Sequence, residues 1–377
     1  MRICRIATVP FFLYNHLRGQ IRAITEAGHE VTLISAAGKE VEWLKAIPGV
    51  RFQEIDIPRK ISPFRDLVAL WKLFLFFRKE RFDLIHSTTP KAGMLCAIAG
   101  WLAGIPVRLH TFTGQAWAEL SGVKRWVARA GDRVTVRLDT RCYADSLSQT
   151  EYIVSEGVAS EGEIRVLGSG SLAGVDLMRF DPKKWSDKKM EVREELGIPE
   201  DMKVITFIGR ITRDKGIAEL LKAISVLESC VLLLIGPGES RDGSLSSDSG
   251  LSDVPNVKYL GYRPEPERYL AITHVFCIPS YREGFGNVVI ESAAMGVPSV
   301  GTDIPGLRDA ILDGKTGVLV PPKDADALAV ALKSLLSDEP LRKSMGGAAR
   351  ERAVKEFGAE RVSALVLAEY ERFWHER

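Results

Sequence analysis

Short apolar, β-branched runs alternate with longer stretches of helical period along the first part of the chain. Five runs predict strands: RICRIATV, EVTLIS, RFQEID, FDLIHS and PVRLHTF. Helical patterns lie between them, for example LRGQIRAITEAG and the segment Arg65–Arg81. Strands and helices that alternate in this way predict an α/β fold, in which helices cover both faces of a parallel sheet.

The pattern resets within residues 177–203, a polar and charged stretch that holds two prolines. Strand–helix alternation then resumes and continues from KVITFIG to DALAVALKSLLS. The economical interpretation is two doubly wound, Rossmann-like domains in tandem, residues 1–176 and 177–358. Residues 359–377 form a helical pattern with three late aromatics, which we expect to return to the N-terminal domain. The Ser-rich segment 241–253 is expected to be a surface loop.

Composition supports two cores and narrows the class of protein. The chain has 377 residues, of which 46% are hydrophobic and 27% charged, and its net charge of +2 gives no reason to expect nucleic acid. Residues 1–178 hold 23 basic and 18 acidic residues, which leaves 51 − 23 = 28 basic and 49 − 18 = 31 acidic residues in the remainder. The mildly basic first half and mildly acidic second half are consistent with different partners.

The cysteines, the first residues and the longest uncharged stretch indicate where in the cell the protein is expected. Five cysteines are scattered without a CxxC or Cys/His cluster, so we expect no disulfide, no metal site and no cofactor. Met1 leads directly into the first predicted strand, so a signal peptide is not expected and the cytoplasm is the expected location. The longest uncharged stretch, Ala92–Val107, is shorter than a membrane span and predicts a buried helix.

Candidate chemistry lies where strands meet helices, since ligands of open α/β sheets bind beyond the carboxyl ends of the strands. In ITFIGRITRDKGIAELL, a strand ends at Gly209, Arg210 follows, and Lys215 and Gly216 open the next helix. Two cations beside helix amides predict an anion site. The alternative is a pair of solvated surface charges, and a Walker A loop is excluded because GxxxxGK[ST] is absent.

A second junction, LLLIGPGESR, contains Gly236 and Gly238 but has Arg241 where a dinucleotide fingerprint needs its third glycine. A tight turn that approaches a ligand through its backbone is the preferred interpretation.

The third junction is HVFCIPSYREGFGNVVIESAAMG. Gly284 and Gly286 place Glu283 in a loop, whereas Glu291 lies in a helix that is predicted to begin near Asn287. A carboxylate can accept two hydrogen bonds from a vicinal diol such as ribose. The alternative for each glutamate is an ordinary surface position. Phosphate held by cations and hydroxyls held by glutamates together predict a nucleotide-sugar.

These residues resemble the GT-B glycosyltransferases of family GT4, through GR…KG at 209–216, the E-x7-E pair Glu283 and Glu291, and the GFG between them. GSGSLAGVDLMRFDP at 168–182 also resembles that family's interdomain segment, with Ala173 where asparagine is usual.

The resemblance implies metal-independent, retaining transfer from a nucleotide-sugar in a cleft between the two domains. Arg210 and Lys215 would neutralise the leaving diphosphate. Glu283 would lie near the sugar and Glu291 near the ribose. Backbone of Gly209 and of the four residues Gly284, Phe285, Gly286 and Asn287 would contact the donor.

Two departures from the family pattern concern the acceptor. Instead of paired glycines, the segment after the first strand carries Phe11, Phe12 and Tyr14, which suggests an altered or lipid-accommodating loop; a packed loop is the alternative. Where the family often has a histidine, this chain has Thr113 followed by Gly114, and these are carried over as site candidates. His110, three residues earlier, is interpreted as structural.

Arginines recur every fourth residue in KRWVARAGDRVTVRLDTR, from Arg125 to Arg141, beside an apolar stripe that includes Trp126. A basic amphipathic helix is typical of binding to an anionic membrane surface, so Arg125, Trp126, Arg129 and Arg133 are predicted to face one; an ordinary packed helix is the alternative.

The site residues and the resemblance together predict a sugar-transferring enzyme, with UDP as the carrier by resemblance and a glycan or polyprenyl-diphosphate-linked acceptor of bacterial cell-surface synthesis. The alternatives are a nucleotide-sugar epimerase of the same fold and a non-catalytic nucleotide-sugar-binding protein.

Overall fold

A computed structural model describes residues 1–58, 62–238 and 256–376 of the chain. The chain divides into two compact units: unit 1 is Met1–Gly174 with Ala359–Arg377, and unit 2 is Val175–Gly358. The predicted Ser-rich loop at 241–253 lies outside the described residues.

Unit 1 contains a parallel sheet with helices on both sides. Its described strands are β1 (Arg2–Ile6), β2 (Glu30–Ser35), β3 (Val50–Glu54), β4 (Leu84–Thr88), β5 (Val107–Phe112), β6 (Arg141–Ala144) and β7 (Ile164–Val166). Its described helices are α1 (Pro10–Glu26), α2 (Val41–Lys45), α3 (Pro63–Glu80), α4 (Pro90–Leu102), α5 (Gly122–Leu138), α6 (Leu147–Ser155) and, from the end of the chain, α14 (Ala359–His375). Among the described strands the order is β3-β2-β1-β4-β5-β6-β7.

Unit 2 repeats the same architecture. Its described strands are β8 (Lys203–Ile208), β9 (Cys230–Ile235), β10 (Val257–Gly261), β11 (Val275–Ile278), β12 (Ser299–Thr302) and β13 (Gly317–Val320), in the order β10-β9-β8-β11-β12-β13. Its described helices are α7 (Lys189–Glu195), α8 (Ile217–Ser225), α9 (Pro266–Leu270), α10 (Asn287–Ala294), α11 (Leu307–Ala310), α12 (Ala325–Ser337) and α13 (Glu339–Glu356), with 3-10 turns at Pro182–Lys188 and Arg213–Lys215.

The prediction of an α/β fold with two doubly wound, Rossmann-like sheets is confirmed, because the neighbouring strands of both sheets pair in parallel. Central strands such as CVLLLI of β9 are buried along their whole length, as expected where helices cover both faces. Prediction missed β6 and β7, and it extended the arginine stripe to Arg141, which lies in β6. The helix α5 ends earlier because Asp139 adopts an extended backbone.

The last helix completes the core of unit 1. Val366, Tyr370 and Phe373 of α14 join the cluster that α1 and the sheet form. The Tyr370 hydroxyl accepts a 2.5 Å hydrogen bond from Arg5 and lies 2.6 Å from Nδ1 of His86, and all three side chains are buried. Burial lowers the pKa of His86 well below its ordinary value, and the Arg5 charge acts in the same direction. The imidazole is therefore neutral and α14 is joined to the sheet by polar bonds as well as apolar contact.

Candidate active site

The centre of the unit 2 sheet is the point where strand order reverses. The strands β9 and β10 lie on one side of β8, whereas β12 and β13 lie beyond β11 on the other. Because β8 and β11 are adjacent and parallel, the loops that follow them emerge side by side at one edge of the sheet. These are the GRITRDKG and YREGFG loops, so the fold brings together the two segments that prediction singled out.

Gly216 explains how closely the two loops approach. Its backbone is left-handed, with φ of +68°, and a Cβ there would lie 2.0 Å from the carbonyl oxygen of Pro279 at the end of β11. The Tyr281 amide donates to the Asp214 carbonyl at 2.9 Å, which ties the loops together again. The glycine of the KG pair therefore lets Lys215 reach the YREGFG loop.

Lys215 and Glu283 form an ion pair at this junction. The Lys215 Nζ lies 2.5 Å from Oε1 of Glu283, and the two side chains are only 16% and 15% exposed. The Ser280 hydroxyl, which is buried, donates to the same oxygen at 2.8 Å. A carboxylate can accept further hydrogen bonds at its second oxygen, so the pair is positioned to meet a hydroxyl as well as an anion.

Arg210 is more exposed than Lys215, the other cation of the predicted anion site. Its side chain is 56% exposed, and Nη2 lies 3.6 Å from Oδ2 of Asp214. Asp214 also accepts from Arg282 at 3.2 Å and from the Thr212 hydroxyl at 2.5 Å. Burial acts to raise the pKa of Asp214, but the Thr212 hydrogen bond and the nearby cations outweigh it and the pKa is lowered. Asp214 is thus ionised and holds two arginines beside Lys215.

Glu291 lies in α10, which begins at Asn287 as predicted. Gly286 supplies the left-handed residue that precedes the helix, with φ of +87°. The Glu291 side chain is half-buried, and burial is the main reason why its pKa is raised to about 7. The charge of Arg179 opposes this shift and that of Glu267 adds to it, although Glu267 is itself paired with Arg179 at 2.8 Å. This carboxyl is therefore poised between its two protonation states at neutral pH.

Phe285 and two glycines near the predicted donor site make packing contacts within unit 2. The Phe285 side chain is buried and packs on Phe357 with ring centroids 5.2 Å apart, so only its backbone can meet a ligand. A Cβ on Gly236 would lie 1.9 Å from the carbonyl oxygen of Gly209, so this glycine permits close contact between neighbouring loops; the predicted approach of the turn to a ligand stays a prediction. Similarly, Gly306 approaches the carbonyl oxygens of Glu283 and Gly284.

In unit 1, Thr113 and Gly114 directly follow β5, at the carboxyl edge of the sheet. His110 is buried within β5, its Nδ1 lies 2.8 Å from the Ser87 hydroxyl, and burial lowers its pKa to about 3. A neutral, enclosed imidazole fits the structural role predicted for it. A Cβ on Gly93 would lie 2.5 Å from this ring, so the helix α4 packs directly against it.

The aromatic segment after β1 is not a loop, contrary to the prediction. The helix α1 begins at Pro10, so Phe11, Phe12 and Tyr14 occupy its first turns, again at the carboxyl edge of the sheet. Proline at the first helical position has the φ angle that a helix requires, which explains the early start. Phe12 packs on His16 with ring centroids 5.0 Å apart, whereas Phe11 is 44% exposed.

The arginines of α5 are engaged within unit 1. Arg125 and Arg129 both pair with Glu156, at 2.8 and 3.3 Å, and lie over the Trp117 ring. Arg133 donates to the carbonyl of Gly157 at 2.9 Å. The predicted membrane-facing arginines are therefore directed to the α6–β7 segment, because Glu156 lies within their reach. Of the four predicted residues, Trp126 is 65% exposed and Arg133 is exposed as well, whereas Arg125 and Arg129 are partly buried.

Five site residues were missed by sequence reasoning: Thr212, Asp214, Ser280, Arg282 and Glu267. Asp214 lies inside the GRITRDKG loop. An acidic residue between cations is a sequence pattern that could have predicted its ion pairs. Ser280 directly precedes the YREGFG segment, and Arg282 lies within it. Glu267 lies far from Glu291 in sequence, and no local pattern connects them.

Within residues 1–58, 62–238 and 256–376, no group of three or more His, Cys, Asp or Glu side chains could hold a metal ion. The described helices include none that is both long and apolar enough to cross a bilayer.

Comparison with known proteins agrees with this geometry. The family described as "Glycosyl transferases group 1" matches residues 188–352, and the "Glycosyl transferase 4-like domain" matches residues 15–170. The capsular polysaccharide biosynthesis glycosyltransferase CapM of Staphylococcus aureus is 32% identical over 365 residues, which cover 96% of this chain and 94% of CapM.

A second relative is the UDP-Gal:alpha-D-GlcNAc-diphosphoundecaprenol alpha-1,3-galactosyltransferase of Escherichia coli. It is 27% identical, over 75% of this chain and 74% of its own length. HepE of Anabaena, solved in complex with UDP-glucose, superimposes with a TM-score of 0.79 at 17% identity and covers 99% of this chain and 100% of its own. The superposition identifies the fold, GT-B, and the matches in sequence identify the activity. The chain is a glycosyltransferase and belongs to family GT4.

Proposed function

We propose that this enzyme transfers a sugar from a UDP-linked donor, with retention of configuration, to a glycan or polyprenyl-diphosphate-linked acceptor. The observation that carries the proposal is the Lys215–Glu283 pair at 2.5 Å, held at the switch point of unit 2 beside Arg210. Departure of a nucleoside diphosphate builds negative charge, which positioned cations stabilise most where water is excluded.

In the proposed donor complex, the diphosphate takes up the positive charge of Lys215 and Arg210. Arg210 is exposed and 3.6 Å from Asp214, so it can turn to phosphate oxygens without breaking a close ion pair. Glu283 keeps its hydrogen bond from Ser280 and accepts from sugar hydroxyls. The chain would thus stabilise the leaving group through its own cations, without a metal.

Glu291 is proposed to accept hydrogen bonds from the two ribose hydroxyls. Its pKa of about 7 means that a ligand which favours the carboxylate also shifts it to the ionised form. The backbone from Gly284 to Asn287, together with Gly209, is proposed to contact phosphate and sugar.

The acceptor is proposed to bind unit 1, through Thr113 and Gly114 after β5 and through Phe11, Phe12 and Tyr14 at the start of α1. All five lie at the carboxyl edge of one sheet. The names of the two relatives, one capsular and one acting on a diphosphoundecaprenol-linked sugar, support a cell-surface polysaccharide or glycoconjugate as the product. An enzyme with such an acceptor would work peripherally at the cytoplasmic face of the cell membrane.

A donor screen tests the proposal. UDP-, GDP-, ADP-, dTDP- and CMP-linked sugars are compared by thermal shift and by release of the nucleotide, since a bound donor raises the melting temperature. UDP-sugars are expected to give the largest shift, and Glu291→Ala is expected to abolish most of it. Proton NMR of the glycoside formed from an α-linked donor then gives the anomeric configuration. A β-linked product, or turnover only with a purine donor, would overturn the proposal, and binding without transfer or hydrolysis would favour a nucleotide-sugar-binding role.

A further inference from the structure

The helix α3 of unit 1 has an apolar outer face. Five of its large hydrophobic side chains are 40–78% exposed: Phe64, Leu67, Val68, Trp71 and Leu75. Their spacing of three, one, three and four residues places them on a single stripe of the helix. Buried Ala69, Leu73 and Phe77 form the opposite face and pack into the unit 1 core. The outer stripe therefore has no role in holding the helix on the domain.

The charge around this stripe is positive. The helix has two carboxylates, and both are compensated: Asp66 by Lys91 at 2.9 Å and Glu80 by Arg2 at 2.7 Å. Three cations of the helix, Lys72, Arg78 and Lys79, are exposed and form no ion pair with any carboxylate in the described part of the chain. An exposed apolar stripe with uncompensated cations beside it is suited to an anionic surface that also offers an apolar interior.

We propose that the outer face of α3 docks on the headgroup region of an anionic lipid bilayer. Trp71, Phe64 and Leu67 would enter the boundary between headgroups and acyl chains, and Lys72, Arg78 and Lys79 would contact lipid phosphates. A bilayer fits this face better than a protein with an acidic rim, because the five exposed apolar side chains form one continuous ridge along the helix and the exposed cations lie beside it. The inference is independent of the donor's identity, and it assigns the membrane contact to α3 because Arg125, Arg129 and Arg133 of α5 already have partners within unit 1.

Vesicle flotation tests the surface without any sugar chemistry. The full chain is floated with neutral phosphatidylcholine vesicles and with vesicles that contain phosphatidylglycerol, neither of which holds a glycosyl acceptor. Wild-type protein is expected to float with the anionic vesicles and to be released by salt. Lys72→Gln/Lys79→Gln should lower the partition coefficient about 30-fold, at about 1 kcal/mol for each lysine. Leu67→Ala/Trp71→Ala should lower it by at least about tenfold, since two large side chains lose their burial.

Two controls make the result specific. Val330→Ala/Lys333→Gln removes an exposed apolar residue and an exposed cation from α12 of unit 2, and it should leave flotation unchanged. Trp126→Ala/Val127→Ala examines the exposed apolar side chains of α5. Every variant is compared with wild type for melting temperature and for donor hydrolysis, both of which should be retained because the altered side chains are exposed.

Three outcomes would overturn the proposal. The first is wild-type protein that does not float with anionic vesicles. The second is that the α3 variants float like wild type while the α5 variant does not float. The third is a dimer by light scattering that the α3 variants convert to monomers, which would show that a second copy covers this face. Because donor turnover is measured separately, loss of sugar transfer would not be mistaken for failure of membrane docking.

Discussion

Replacement of Glu291 by glutamine should stabilise the unliganded enzyme while it weakens binding of the nucleotide. The carboxyl group is half-buried in α10, and burial is the main reason why its pKa is raised. Glutamine has the same shape and carries no charge at any pH, so it removes the cost of an enclosed carboxylate. A partly buried carboxylate that destabilises the unliganded protein is typical of a binding site, where hydrogen bonds from the ligand stabilise its charge.

The magnitude follows from proton linkage. The pKa of Glu291 rises from 4.5 to about 7 on folding, so the native state binds the proton more tightly than the unfolded state in this window. Stability is therefore lost as the pH rises from about 4.5 to about 7, and the full cost applies above that range. At about 1.4 kcal/mol for each pKa unit the cost is about 3 kcal/mol, and access of solvent reduces it to about 1–3 kcal/mol. At pH 5 it should be less than about 1 kcal/mol.

Urea unfolding of wild type and Glu291→Gln at pH 5 and pH 8 gives the difference in the free energy of unfolding of unit 2. The exposed Glu194→Gln on α7 serves as the matched control, and its effect should not differ between the two pH values. In parallel, isothermal titration with UDP should show weaker binding to Glu291→Gln at pH 8. An equal effect of Glu291→Gln at both pH values, or a loss of stability at pH 8, would refute the reasoning.

Three further substitutions separate chemistry from packing. Lys215→Met should reduce the rate of transfer by about 10²–10³-fold in initial-rate assays, whereas Lys222→Met on the exposed side of α8 should not change it. Gly216→Ala should cost at least about 2 kcal/mol more than Gly314→Ala in thermal unfolding, because both have φ near +70° but only the former Cβ meets backbone, at 2.0 Å; equal losses would contradict the loop contact. Tyr370→Phe should cost about 1–3 kcal/mol in unit 1 and leave UDP affinity unchanged, since it removes the acceptor for Arg5.

The sequence was most informative where local chemistry and fold agree. The glycines before Asn287 correctly predicted that α10 begins at this residue. Gly286 has a left-handed backbone, and it separates the preceding loop from the helix. The strand β6 was missed because RCYA is only four residues long and continues the arginine spacing of α5. The start of α1 was missed because aromatic residues after Pro10 do not by themselves distinguish a loop from a helical turn.

Site partners that are distant in sequence could not be predicted at all. The effect of Glu267 and Arg179 on Glu291 depends on how α9 and α10 pack, which no spacing encodes. The direction of the α5 arginines likewise depends on Glu156. This residue directly follows α6, and the strand β6 separates α6 from α5 in the sequence. A periodic stripe states which residues share a face, and only the neighbours decide whether that face is exposed.

The return of α14 to unit 1 fixes an order of events during synthesis. Residues 1–174 leave the ribosome before α14 does, yet their core lacks Val366, Tyr370 and Phe373 until α14 has been synthesised. Unit 2, by contrast, is a continuous segment and can fold as soon as it emerges. For that interval the nascent first half holds Arg5 without the phenol hydroxyl that later bonds to it, so unit 1 cannot complete its core until the whole of unit 2 has been synthesised.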